Sequence, residues 1–174
     1  MHWLLFLLLL VTACCIFYQD LTTRSVLWYL FPLTALLGLV NNYVQTSSWM
    51  YTLANCGINA VFVLLQFVLL KTFYFLKARE RAIVNARIGL GDILFLLASC
   101  CFFSPLNFLL FYCTSLLFAL LIHLLWLQLV SRTIPSIPLA GWMAVFLLIY
   151  LGGFIMVHRS PAHDEWILNY LMVL

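Results

Sequence analysis

The sequence predicts an all-α integral membrane protein, a bundle of six transmembrane helices with both termini outside. Three observations carry this expectation. The chain is 67% apolar and only 7% charged, whereas a soluble domain of this length covers its surface with far more Lys, Arg, Asp and Glu. The apolar residues fall in continuous runs, several of them ~18 residues or longer, enough to span a bilayer. They do not alternate, which excludes a strand barrel. The cationic residues gather in every second loop, the bias that marks cytoplasmic loops. The net charge of +3 belongs to those loops, so it speaks to topology and implies no nucleic-acid partner.

One domain over residues 1–174 accommodates the elements in order. Span one runs from about residue 3 to 18. It is retained as a helix and not read as a cleaved signal peptide, because only His2 precedes the apolar run where a basic segment is required. A polar break, Gln19 to Ser25, leads to span two, about 26–44, which contains Pro32. After an uncharged loop, span three covers about 50–76. Its Asn55, Asn59 and Gln66 share one helical face and are expected to hydrogen-bond across to other helices, since lipid offers them nothing. Span four, about 89–103, is short and ends at Ser104-Pro105. Span five covers about 106–130, with His123 read as a packing residue, and span six about 139–157. The tail from His158 to Leu174 carries Asp164, Glu165, Trp166 and Tyr170, and is expected along the membrane interface. The six cysteines, Cys14, Cys15, Cys56, Cys100, Cys101 and Cys113, include no CxxC pair. They read as small buried residues, and no metal site is expected.

The charges orient the bundle. Arg24 lies in the first loop. Lys77, Arg79, Arg81 and Arg87 lie in the third, with Lys71 at its edge, and Arg132 lies in the fifth. The second and fourth loops have no Lys or Arg, and the tail has only Arg159. Loops one, three and five are therefore expected in the cytoplasm.

This map places two acids on one side and at one depth. Asp20 ends span one and Asp92 begins span four, whereas Glu80 sits among the cations of loop three. An acid at the edge of hydrocarbon is costly, and it marks a functional site when it faces a bundle interior. Two carboxylates that meet there share one proton and titrate as a unit. One then takes a proton from water and the other gives one to a leaving amine, which is the chemistry of aspartyl peptide hydrolysis. Gly89 and Gly91 flank Asp92 closely and, without Cβ atoms, allow backbone or substrate near it. On the residues alone a second reading stands beside this one: Asp20 caps span two, and Asp92 is a first-turn acid favoured by the helix dipole.

Three stretches resemble the type IV prepilin peptidase family, the membrane aspartyl proteases with a GxGD motif. Gly89-Leu90-Gly91-Asp92 resembles the GxGD itself. Asp20 to Val26 resembles the family's first aspartate segment, and Ile134 to Gly141 its Ile-Pro-x-x-Pro-x-x-Gly stretch before the last helix. The resemblance implies that Asp20 and Asp92 are catalytic, with Gly89 and Gly91 as motif support. It implies water as nucleophile, no metal or organic cofactor, and a multi-pass protein of the cell's inner (plasma) membrane. Its expected partners are pilin-like precursors with a basic leader and an apolar helix, cut at the cytoplasmic face for a pilus or for protein secretion, besides the bilayer itself. Two departures stand out. Val26 is followed by Leu27 and Trp28 where many members continue Ile-Pro-Asn, and the paired CxxC motifs of the larger, N-methylating members are missing. The chain resembles the short, peptidase-only form. The alternatives are an inactive scaffold of a pilus or secretion machine, or a small proton-coupled carrier using the same acids.

Overall fold

A computed structural model describes residues 2–78, 89–129 and 138–173. Among them every regular element is a helix: α1 (His2–Thr22), α2 (Leu30–Thr46), α3 (Trp49–Ala78), α4 (Leu90–Ser99), α5 (Pro105–Leu129), α6 (Leu139–Met156) and α7 (Glu165–Val173). Four of them, α1, α3, α5 and α6, are long and apolar enough to cross a membrane. The chain is thus a multi-pass membrane protein built as a helical bundle. Leucines such as Leu7, Leu69 and Leu121 are about 60% exposed on the outer faces of these helices, the surface that lipid covers.

The boundaries differ from the sequence expectation in three places. α1 runs past residue 18, through Asp20, to Thr22. Span two begins as a helix only at Leu30, so Pro32 falls in the first turn. There its missing N–H is one that an α-helix leaves unpaired anyway. Span four stops as a helix at Ser99 and not near Phe103. Its ten residues cover about 15 Å, half of a hydrocarbon core.

The turn that follows α4 lies among apolar side chains, where its carbonyls need partners. Asparagines supply them here. Asn59 Nδ2 donates to the carbonyls of Cys100 (3.0 Å) and Phe103 (2.9 Å), and Asn42 Nδ2 donates to Cys101 O (3.3 Å). Asn55 Nδ2 reaches Ala162 O at 3.5 Å. The cross-helix role expected of Asn55 and Asn59 is met, while Gln66 on the same face is half-buried. At this turn the main chains come very close. A Cβ on Gly38 of α2 would lie 2.7 Å from the Phe102 ring and 3.0 Å from Cys101 Cβ, so only glycine fits.

The tail closes the same end. Ser104 precedes α5, whose first residue is Pro105, a favoured opening. Asp164 accepts from Ser104 Oγ (2.5 Å) and from the Asn107 main-chain N–H (3.2 Å), which makes it the cap of α5. Trp166 Nε1 donates to Asn107 Oδ1 at 3.2 Å. Through these bonds the tail is anchored to the bundle, beyond the interfacial placement expected of it. Packed between are Phe95, Phe102, Phe103, Phe108 and Phe111, all at most 1% exposed. The cysteines divide: Cys100 and Cys101 are buried and Cys56 half-buried, but Cys14, Cys15 and Cys113 are exposed, which corrects the expectation that all six are buried. His123 is half-buried on α5.

Candidate active site

The opposite end of the bundle holds the two acids. α1 finishes there in a tightly folded segment. Thr22 and Thr23 return their hydroxyls to the carbonyls of Tyr18 (2.7 Å) and Gln19 (2.9 Å). Arg24 takes the left-handed conformation, φ 54°, in which helices often terminate. The Leu27 N–H then donates to Gln19 Oε1 at 2.9 Å. This fold-back fixes the last turn of α1, where Asp20 stands half-buried, with the Arg24 charge near enough to act on it.

α4 begins at Gly89, which is extended (φ −67°, ψ 138°) and whose carbonyl accepts from Asp92 N at 3.2 Å. A Cβ on Gly89 would stand 3.0 Å from Asp92 Oδ2. Glycine at this position therefore makes room for the carboxylate itself. Gly91 differs: a Cβ there would meet only Phe31 Cζ at 3.6 Å, an ordinary contact. Nothing in the resting geometry demands glycine at 91.

α6 brings the acids together. Its N-cap is Pro138, which offers no side-chain cap. The N–H groups of the next residues would be left unpaired in the first turn. Asp92 Oδ1 accepts from Ala140 N at 2.8 Å, and Asp20 Oδ2 accepts from Gly141 N at 2.6 Å. Two carboxylates 72 positions apart in the chain thus sit on consecutive main-chain N–H groups, at the positive end of the α6 dipole. The Asp20 charge acts on Asp92.

The helix contacts explain how. α1 packs along α6 more extensively than any other pair, and α4 also packs on α6, whereas α1 and α4 share no comparable contact. Phe17 and Trp142 lock the α1–α6 seam beside Asp20, their ring centroids 5.2 Å apart. A Cβ on Gly141 would lie 3.1 Å from Asp20 Oδ2 and 3.2 Å from Asp20 Cβ. Gly141 is therefore the point at which α1 can approach α6.

Asp20 does not cap α2, the other role open to it in the sequence: Tyr29 precedes that helix and supplies no side-chain cap. Asp92 does lie in the first turn of α4. Sequence reasoning had both acids but not their common partner, the Ala140 and Gly141 N–H groups. The signal was a proline at a helix start with two small residues, Ala140 and Gly141, following after Leu139. Ile134 to Ile137, and the loop residues Arg79, Glu80, Arg81, Arg87 and Arg132, lie outside the described residues. No family model, no curated protein and no solved structure matches the chain.

Proposed function

We propose that this chain is a membrane aspartyl endopeptidase that cuts the leader from type IV prepilin-like precursors at the cytoplasmic membrane face. One observation carries the reading: Asp20 and Asp92, the two acids of the resembling motifs, converge on consecutive N–H groups of α6. Convergence of this kind is what a two-carboxylate acid/base pair needs. Each N–H holds one oxygen of its carboxylate and fixes its direction. One carboxylate takes a proton from a water placed between the pair, and the hydroxide attacks the scissile carbonyl. The other acid, protonated, donates to the carbonyl oxygen. As the tetrahedral intermediate collapses it takes that proton back, and the first acid passes the water's proton to the leaving amine. Metal or organic cofactor has no part in this scheme.

The membrane placement belongs to the same proposal. α2 and α4 complete six passes, α4 as a short one that α5 reverses. Arg24 follows the C-terminus of α1 beside Asp20, and Lys71 and Lys77 stand towards the C-terminus of α3. Positive loops face the cytoplasm, so the acid pair faces it too, and both termini lie outside. The membrane is the cell's inner (plasma) membrane, and the substrate is a precursor with a basic leader before an apolar helix.

One observation favours a second reading, an inactive scaffold of a pilus or secretion machine. The same two bonds cap α6, which is a structural service. Asparagine separates the two, because its Oδ1 still accepts from an N–H while it no longer exchanges a proton. Asp20→Asn and Asp92→Asn should each abolish the leader-sized gel shift of a co-expressed prepilin, with the variant still accumulating in the membrane. Full processing by Asp92→Asn would sink the peptidase reading.

A further inference from the structure

We propose that Cys56 and Cys101 form a disulfide bond that joins α3 to the α4–α5 turn. Their Sγ atoms face one another 2.9 Å apart, from elements 45 residues apart in sequence. The approach is imposed by packing that does not involve the sulfurs. Asn42 holds the Cys101 carbonyl, Asn59 holds its neighbour's, and Cys101 Cβ is set against Gly38. Cys100, next in sequence, is not the partner, because its thiol donates to Leu96 O at 3.2 Å on α4 itself. Cys14, Cys15 and Cys113 lie on exposed faces.

The compartment rests on the topology given under the proposed function, which puts the α2–α3 end outside, where disulfides form and persist. Cys56 is seven residues along α3 from Trp49, about 10 Å from that end. The oxidant is a protein disulfide of the thiol–disulfide exchange class. The half-buried Cys56, as thiolate, attacks one sulfur of that disulfide, forms a mixed disulfide and releases the other sulfur as a thiolate. The buried Cys101, losing its proton, attacks the Cys56 sulfur, forms the internal bond and releases the second. Two electrons and two protons pass from the cysteine pair to the oxidant, which leaves as a dithiol. The bond anchors the far end of the helix whose near end carries Asp92.

Two-step alkylation tests this in the full-length protein. Membranes are quenched in acid, denatured and treated with one maleimide, then reduced and treated with a heavier one, and each cysteine is read by peptide mass spectrometry. Cys56 and Cys101 should carry only the heavier label, and Cys100 only the first. Cys56→Ser should shift Cys101 to the first label, whereas Cys100→Ser should leave the pair unchanged. First-label modification of Cys56 and Cys101 in the wild type, or pairing of either with another cysteine, overturns the proposal. Prepilin cleavage is scored on the same membranes. Active protein with free thiols overturns the disulfide alone, and inactive protein with the bond intact counts against the peptidase alone.

Discussion

Gly141→Ala is the most demanding perturbation of the site, because it adds one methyl where α1 meets α6. The new Cβ would lie 3.1 Å from Asp20 Oδ2, 3.2 Å from Asp20 Cβ and 3.4 Å from Phe17 Cδ2. Unbonded carbons rest at about 3.5–4.0 Å. Asp20 must therefore retreat by a few tenths of an ångström, against the Phe17–Trp142 contact that holds α1 in place. Its 2.6 Å bond from the Gly141 N–H stretches as it does so. A charge-assisted bond of this kind is worth about 1.5–3 kcal/mol, and a misplaced catalytic group loses up to about a hundredfold in rate. Processing is expected to fall by about ten- to a hundredfold on those grounds. Helix propensity works the other way, since alanine is favoured over glycine in a helix, by up to about 1 kcal/mol in its interior and less in a first turn. A loss of activity would thus come from the site and not from a weakened helix. The assay is the prepilin gel shift over time in membranes with matched protein levels. Gly153→Ala on the same helix is the control, for its Cβ would meet nothing within 4 Å. Wild-type cleavage by Gly141→Ala would refute the claim that the Asp20–Gly141 approach is part of the working geometry.

Two substitutions at the other end should affect stability and spare the chemistry. Asn59→Leu removes both donors to the Cys100 and Phe103 carbonyls and should cost about 2 kcal/mol, seen as a lower unfolding temperature in detergent. An unchanged temperature would mean that those carbonyls find other partners. Asp164→Ala removes the acceptor for Ser104 Oγ and Asn107 N. It should cost about 1 kcal/mol, as lost N-caps do, while the proposed prepilin cleavage at the opposite end of the bundle is expected at the wild-type rate.

Much of the fold was legible because the bilayer imposes strict rules on sequence. Long apolar runs announced the four long helices, and the asparagines of α3 announced a cross-helix role, since lipid cannot satisfy them. The point where α4 ends was not legible. The apolar run continues through Cys100 to Phe103 with no glycine, proline or charge to stop it. The chain turns there, and Asn42 and Asn59, from two other helices, take the carbonyls of Cys100, Cys101 and Phe103 in that turn. Partners supplied from elsewhere in space leave no local mark. The same holds for Asp164, whose role as the α5 cap comes from the tail, 57 residues beyond Asn107. At the site, the two acids stood out as rare charges at one depth. Gly141 stood out as the end of a resembling stretch, and the structure shows that what packs against it is a carboxylate.

The way the acids are joined decides which changes the site tolerates. Were the pair held by direct α1–α4 contact, any shift of either helix would alter the distance between the carboxylates. Here each carboxylate binds its own N–H on α6, and those N–H groups belong to consecutive residues. Their spacing is a property of the α6 backbone. Small adjustments of α1 or α4 against lipid then leave the carboxylates registered as long as both bonds survive. The first turn of α6 has no such tolerance, because Pro138, Ala140 and Gly141 set the template itself. α4 is too short to be stable alone. It depends on being held at both ends, by Asp92 at Ala140 N and by the asparagine-bound turn beyond Ser99. The polar turn and the acid pair are thus the two anchors of one ten-residue helix.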